Sequence, residues 1–568
     1  MDDDWSAQVG QIYADALEKL GGNETPLHYG PAHVVWDDGN LDSAEWCLEN
    51  FEQYEGDISK ADAAIVRQSL ERLARIPLEK RWGNAIFPLS VSAGSMTASG
   101  AVVWTCVSGW QPDTTMLLEV ATDPGMVNLV YQHSFASEMF SEARAYTLKH
   151  DLHGLLNPSI RYYYRFTYLE EPSPVGSFRT LPASGHQPYM ARFAVVTCNH
   201  YQQGYWQTYR HIAQEQPDFV LHLGDLIYDS VSPLALPGRE LLLPDGVTED
   251  GVTFYPASLQ DFRYLWQMYR SDLDLQAACE ATGWLVLWDD HEEANDRYVS
   301  EMGVPTSPTH PWRHDPQLMA QLHAWAMQAW FEFTPTRPGD QYRSVAWGDL
   351  MELMLLDQRT WRSPHPCGPT FRDRVYTIGC EQMHSPEQAM HGAMQMQWLM
   401  SRLAGTAALW PILCSPTMVT DLLVPATNGP RRLKLDGRSG YQWEWWQILN
   451  AMPANMQTLS GDLHAFLAGD LLNEQGAVVS KERMTPAVSS YPIGKEVLTA
   501  IGLPEATHEA MVKAVNPTVS RFDGYTNGYL MVTVGRAQYM TELWECDPLT
   551  PDTWPTMTWQ DVVQRGVG

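Results

Sequence analysis

Thiol, phenol, carboxylate and imidazole groups are concentrated in four short blocks of this chain. The blocks are Thr197-Cys198-Asn199-His200, Gly224-Asp225-Leu226-Ile227-Tyr228-Asp229, Asp289-Asp290-His291-Glu292 and Gly461-Asp462-Leu463-His464. Brought to one place, these donor types describe a two-metal hydrolytic centre. Each block alone is weak evidence: a Gly-Asp after a strand is commonly a turn or cap, and an isolated Asp-His pair a satisfied polar group. Their shared context carries the reading. All four directly follow short apolar runs, at residues 193–196, 219–223, 284–287 and 456–459. Such runs read as buried strands, and ligands in α/β sheets bind at the carboxyl ends of strands. One neighbouring pattern is excluded, because His291-Glu292-Glu293-Ala294-Asn295 lacks the second histidine of the zinc-protease motif.

Within the blocks, spacing assigns tasks. Asp225 sits on a turn after a glycine, where one carboxylate can bridge two cations with an oxygen for each. Tyr228, three residues on, can return to the same place. Asp462 and His464 are two apart and project to one side if the segment is extended. Asp289, Asp290 and His291 set two carboxylates and an imidazole directly at a strand end.

The elements that must hold these groups follow from the apolar pattern. From about residue 185, apolar strands alternate with helical segments at 205–214, 316–331 and 394–403, and strands close the chain at 529–534 and 539–543. This predicts an α/β (or α+β) catalytic domain over 185–568. Residues 85–184 carry short β-type runs at 101–104, 116–120, 146–148, 161–167 and 177–180, separated by turn residues. They predict a β-sandwich of immunoglobulin or fibronectin type. Residues 1–84, with helical spacing at 7–20 and 59–76, predict a mainly helical extension.

Composition bounds the function. A net charge of −31 makes the surface strongly acidic, which repels nucleic acid backbones and anionic membranes. No nucleic acid partner is expected, and a phosphate site needs local positive charge, which bound cations supply. No run approaches the ~18–20 apolar residues of a membrane span. Met1-Asp2-Asp3-Asp4-Trp5 has neither a basic n-region nor a twin arginine. The expected compartment is therefore the cytoplasm, or the periplasm or exterior if a signal has been removed. Cys47, Cys106, Cys279, Cys414 and Cys546 read as buried thiols, whereas Cys367 and Cys380 flank a polar loop and can pair in an oxidising compartment.

The chain resembles the alkaline phosphatase D (PhoD-like) family of metallophosphoesterases. The matching stretches are Thr197-Cys198, His222-Leu223-Gly224-Asp225-Leu226-Ile227-Tyr228, Tyr269-Arg270-Ser271-Asp272, Trp288-Asp289-Asp290-His291-Glu292, Leu356-Asp357-Gln358-Arg359 and Ser460-Gly461-Asp462-Leu463-His464. Phe87-Pro88-Leu89-Ser90-Val91 and Val103-Trp104-Thr105 match the family's N-terminal domain. The resemblance covers about 85–545. It implies a metallophosphoesterase-like β-sandwich flanked by helices, with ferric iron beside calcium. Cys198, Asp225, Tyr228 and His464 suit Fe3+; Asp225, Asp290 and Asp462 suit Ca2+, with Mn2+, Mg2+ or Zn2+ as alternatives. The implied activity is that of an alkaline phosphatase or phosphodiesterase, with in-line attack by a metal-bound hydroxide or oxide.

His291 is then a phosphate contact or an aid to the leaving group, and Asn295 and Arg297 are candidate phosphate contacts. Arg359 is a further such contact or half of a structural pair with Asp357. His200 is a substrate contact or a packed loop histidine rather than a ligand. The segment 361–390 shapes access to the site. The expected substrate is a small-molecule or lipid phosphoester, and oligomeric state is left open. Two alternatives stand: a phospholipase D-like diesterase, and a non-catalytic phosphate- or metal-binding protein on the same fold. Trp443, Trp445 and Trp446 line a lipid groove on the first alternative and otherwise belong to the core.

Overall fold

The computed structural model describes residues 84–368 and 370–566. The helical expectations at 7–20 and 59–76, and Cys47, lie outside them. Two large sheets dominate. The nine-stranded sheet runs in the order Thr556–Gln564, Gln538–Glu545, Gly528–Gly535, Met190–Val196, Phe219–His222, Gly283–Val286, Val91–Thr97, Gly100–Cys106, Thr147–Asp151. Its central strands Met190–Val196, Phe219–His222, Gly283–Val286 and Val91–Thr97 are parallel. The seven-stranded sheet runs Arg343–Trp347, Met351–Leu355, Trp410–Ser415, Gln457–Ser460, Val478–Met484, Phe466–Leu472, Val519–Asp523. There the inner strands from Met351–Leu355 to Val478–Met484 are parallel.

Side-chain alternation explains how the sheets stack. Phe193, Val195, Phe219 and Leu221 enter one core with Leu353, Leu355, Ile412, Cys414 and Leu459 of the other sheet. Ala194, Val196 and Val220, one step along, join Ile212, Phe262, Trp266, Leu275 and Met319 of the helices Gln207–Glu215, Leu259–Arg270, Leu273–Ala281 and Pro316–Phe333. Met354 and Leu413 face Leu399, Trp445 and Ile448 of the helices Gly392–Gly405 and Gln442–Ala451. A strand with alternate residues on two apolar faces is a fully buried strand, and each buried Leu or Phe stabilises by about 1.5–3 kcal/mol. The result is a β-sandwich with helices on both outer faces. Because parallel strands point the same way, their carboxyl ends form one rim.

The predicted N-terminal strands form, with a difference in their placement. Thr115–Ala121, Leu129–Ala136, Arg161–Tyr168, Glu171–Pro172 and Gly176–Arg179 make a five-stranded sheet of their own. Val91–Thr97, Gly100–Cys106 and Thr147–Asp151 instead extend the nine-stranded sheet, with Gly94 in register with Trp284. Met116, Leu118, Tyr164 and Phe166 share one core with Val91, Ala93, Val103 and Phe193. Local periodicity cannot show which sheet a strand joins, so this continuity is invisible in the sequence.

Cys367 and Cys380 form a disulfide, whereas Cys106, Cys279, Cys414 and Cys546 are buried free thiols. Trp445 is fully buried and Trp443 exposed, so that aromatic trio does not act as one surface. No described helix is long and apolar enough to cross a membrane.

Candidate metal centre

The rim gathers the four blocks. Cys198 follows the strand Met190–Val196, Asp225 follows Phe219–His222, Asp289 and Asp290 follow Gly283–Val286, and Asp462 and His464 follow Gln457–Ser460. Cys198, Asp225, Asp462 and His464 all adopt left-handed backbone, with φ of 55°, 59°, 73° and 56°. For residues other than glycine that conformation costs about 1–2 kcal/mol each, and such strain clusters at functional sites. Two glycines permit the close approach. A Cβ on Gly224 would meet Asp289 Cβ at 2.6 Å, and one on Gly461 would meet Thr197 Oγ1 at 2.9 Å.

Glu292 ties two of the turns together. Its carboxylate accepts the backbone N–H groups of Asp225 at 3.1 Å, Leu226 at 2.6 Å and Asp289 at 2.8 Å. Thr197 Oγ1 donates to the Gly224 carbonyl at 3.1 Å, joining the Cys198 turn to the Asp225 turn.

Three donor groups share Asp225, and one of them is formed with Asp290 and His291; the other two differ in chemistry. In the first of those two, Cys198, Asp225 and His464 offer ligand atoms within 4.8 Å of one another. Cys198 Sγ lies 3.2 Å from Asp225 Oδ2, and the Tyr228 hydroxyl lies 3.4 Å from that oxygen and 3.1 Å from His464 Nε2. His464 Nδ1 is 2.9 Å from the Tyr491 carbonyl, which can only accept. Nδ1 therefore carries the proton and Nε2 presents a lone pair to the cluster. In the second group, Asp225, Asp289, Asp290 and Asp462 offer carboxylate oxygens within the same 4.8 Å. Asp462 also accepts from Lys434 Nζ at 2.7 Å.

The electrostatics fit bound cations. Burial holds Asp225 well above the usual carboxylate range, pushes Asp289 up to about 8 despite Arg359, and raises Asp462 despite Lys434. Burial likewise raises the Cys198 thiol and Tyr228 phenol. It lowers His464 to about 3, keeping that imidazole neutral. Four carboxylates, a thiol and a phenol so crowded cannot ionise together in a low-dielectric pocket without compensating positive charge. Bound cations would supply that charge and would favour the deprotonated thiol and phenol. The mixed set of sulfur, phenol, imidazole and carboxylate beside an all-carboxylate set matches one softer or more highly charged ion and one hard divalent ion.

A model of the PhoD-like phosphatase family matches residues 193–543, and a model of its N-terminal domain matches residues 72–182. The chain belongs to the PhoD-like phosphatases. It is 28% identical over 483 residues to alkaline phosphatase D of Bacillus subtilis (strain 168), covering 80% of this chain and 77% of that protein. A solved structure of PhoD superposes with a TM-score of 0.71 at 25% identity, covering 84% of this chain and 90% of the other. A purple acid phosphatase from yellow lupin seeds (Lupinus luteus) reaches a TM-score of 0.50 at 11% identity over 85% of this chain and 76% of that one. That second likeness shows the metallophosphoesterase fold. This PhoD-like chain is accordingly a phosphoester hydrolase, and the metal dependence of the family agrees with its donor clusters.

The PhoD-like site departs from the sequence reading at its arginines. Arg359 is fully buried, and its guanidinium is held by Asp289 and by Asp436 (Nη2–Oδ2 2.7 Å), with Asp290 at 3.3 Å. Asp357 instead accepts the backbone N–H of Arg359 at 3.0 Å, so the expected Asp357–Arg359 side-chain pair does not form. Arg297, also buried, spends its guanidinium on Glu293 and the Arg359 carbonyl and lies over Trp288. Both guanidinium groups are engaged by carboxylates or a carbonyl beside the turn that carries Asp289 and Asp290.

His200 lies in none of the ion-holding groups among the described residues. Its Nδ1 accepts the Gln202 N–H at 3.3 Å, its ring packs 4.4 Å from that of Tyr228, and burial lowers it to about 3. His291 lies at the cluster, with a ring nitrogen within 4.8 Å of Asp225 and Asp290 oxygens. Burial alone would lower it, but the carboxylates of Asp225, Asp290 and Asp229 outweigh that and raise it to about 10. The Asn295 side chain is half-buried at the same turn.

Three contributors were missed. Asp289 was placed at the strand end with Asp290 but not among the ion ligands. Glu292 stood in the Asp289-Asp290-His291-Glu292 block without a task and Lys434 gave no signal, because Asp225 and Asp462, which they hold, are 67 and 28 residues away and only the fold brings them together.

Proposed function

We propose that this phosphatase hydrolyses phosphoesters at a binuclear centre in which Asp225 bridges two cations. Cys198, Tyr228 and His464 complete the first site, and Asp289, Asp290 and Asp462 the second. The observation that carries the reading is the sharing of Asp225 between two donor groups of different chemistry. The donor types support Fe3+ in the first and Ca2+ in the second. When bound, the ions polarise the phosphate, neutralise its charge and provide a nucleophile near neutral pH.

The chain's own residues do the rest. Left-handed turns and the Glu292 carboxylate hold the donors at fixed spacing. Arg359 and Lys434 offset part of the carboxylate charge; Lys434 contacts one oxygen of Asp462, whereas Arg359 spans both oxygens of Asp289. His291, at the cluster, and Asn295, four residues on in the same turn, are the residues proposed to contact the phosphate. An imidazole there hydrogen-bonds a phosphate oxygen or gives a proton to the leaving group. The Cys367–Cys380 disulfide supports an oxidising compartment, periplasmic or extracellular.

The test is hydrolysis of an aryl phosphomonoester against the matching bis-aryl diester by as-isolated protein with added Ca2+. Turnover of either supports the reading. A strong diester preference extends it to lipid headgroups, tested on detergent-dispersed phosphatidylcholine. No turnover of either by metal-replete protein leaves only a binding role and defeats it.

A further inference from the structure

Asp229 closes the Gly224–Asp229 block yet belongs to neither carboxylate group that could hold an ion. Its side chain is fully buried. One oxygen lies 2.5 Å from His291 Nδ1, and the other accepts the backbone N–H of Asn295 at 3.1 Å. A single rigid carboxylate thus sets the spacing between the two residues assigned above to phosphate. The His291 ring is fixed a second way, stacked 4.2 Å from the ring of Tyr228 at 29°. With Nδ1 engaged by Asp229, Nε2 is the ring nitrogen left over, and neither it nor the Asn295 side-chain amide is hydrogen-bonded to another described residue.

We propose that Asp229 is the positioning residue for phosphate recognition, aligning His291 and Asn295 as one unit beside the metal pair. The proposal rests on the phosphoesterase reading and deepens it. One six-residue block would then serve both halves of the site, Asp225 and Tyr228 the ions and Asp229 the phosphate. Orientation is where such a residue acts: a displacement of about 1 Å in a contact group costs on the order of a hundredfold in rate.

Asp229→Asn tests it, because an amide has one acceptor oxygen for two donors: if that oxygen keeps the Asn295 N–H, its NH2 can meet His291 Nδ1 only as a donor, which forces the other tautomer and removes the anionic partner that holds the ring. Four holoenzymes are compared: wild type, D229N, H291A and the double variant. The readouts are metal content, KM and kcat for an aryl phosphate, and inhibition by inorganic phosphate. The expected result is unchanged metal content, with KM and the phosphate inhibition constant raised about tenfold in D229N. In the H291A background the same substitution should change them less than about threefold, since coupled residues are not additive. Equal effects in both backgrounds, or metal lost from D229N, would overturn the proposal. If D229N does not fold, Asp229→Ser takes its place in the same cycle. An inactive metal-replete wild type defeats the phosphoesterase reading itself, whereas an active wild type with additive variants defeats only the role of Asp229.

Discussion

Gly224→Ala puts the assembly of the metal turns to a sharp test. Gly224 has φ of 118°, where an L residue is strained by about 1–3 kcal/mol. An added Cβ would also lie 2.6 Å from Asp289 Cβ and 2.9 Å from Asp289 N. Backbone cannot swing aside as a flexible side chain does, so the two turns must separate by roughly 0.5–1 Å, an overpacking worth about 1–3 kcal/mol. The sum is about 2–6 kcal/mol, or about 2–6 °C in Tm at the roughly 1 °C per kcal/mol of a chain this long. The functional loss should be larger. The displaced residues are Asp289 and, next in sequence, Asp225, one from each side of the second ion site. A shift of about 1 Å there predicts a loss in kcat/KM on the order of a hundredfold. Gly429→Ala separates strain from collision, because Gly429 has φ of 97° with nothing within 4 Å of its would-be Cβ. It should lower Tm by only about 1–3 °C and leave kcat/KM within about twofold. The assay is aryl phosphate hydrolysis with metal analysis and thermal unfolding of both variants. A G224A protein with wild-type metal content and kcat/KM within twofold would refute the reasoning.

Stripping the ions with a chelator should lower the wild-type Tm, and re-adding Ca2+ should restore part of it, because ions that bind only the folded chain stabilise it. Lys434→Met should lower the Tm of stripped protein by a further 3–5 °C or so, the cost of leaving Asp462 unpaired, and added Ca2+ should close that gap by taking over the charge. Lys149, held between the Phe331 and Thr336 carbonyls, is lowered by burial from its usual 10.5 to about 8. Its folded-state value lies below its unfolded one, so the unfolded chain binds more protons between about pH 8 and 10.5, and stability contributed by this site rises with pH across that window. The Tm of wild type relative to Lys149→Met should therefore climb from pH 8 to pH 10, and a flat difference would show that Lys149 does not titrate as described.

The sequence made legible what is local. Strand positions followed from alternation: Phe193 and Val195 against Ala194 and Val196 mark a strand buried on both faces. The donor blocks were visible because each is contiguous and follows such a strand. Two things depended on distant contact and were not visible. The first is the sheet a strand joins, as where Val91–Thr97 pairs with Gly283–Val286 rather than closing a separate sandwich. The second is which face of a turn a charged residue occupies. Arg297 and Arg359 sit beside the motif and read as phosphate contacts, but their guanidinium groups are paired with the buried Glu293, Asp289 and Asp436. Asp436 itself, 77 residues from Arg359, is reached also by Arg362 and His365. A buried acid held by two arginines and an imidazole braces the centre, and nothing in its local sequence says so.

The central claim is that Asp225 bridges two ions, and metal analysis of Asp225→Asn beside turnover tests it most directly. An amide keeps the shape but offers one weak ligand oxygen in place of two anionic ones, which cannot hold both ions. The account predicts that purified wild type carries at least two ions per chain. In D225N that content should fall below about one, with kcat/KM down by roughly a thousandfold and Tm lowered only toward that of stripped wild type. A D225N protein that retains both ions and turns over at the wild-type rate would contradict it.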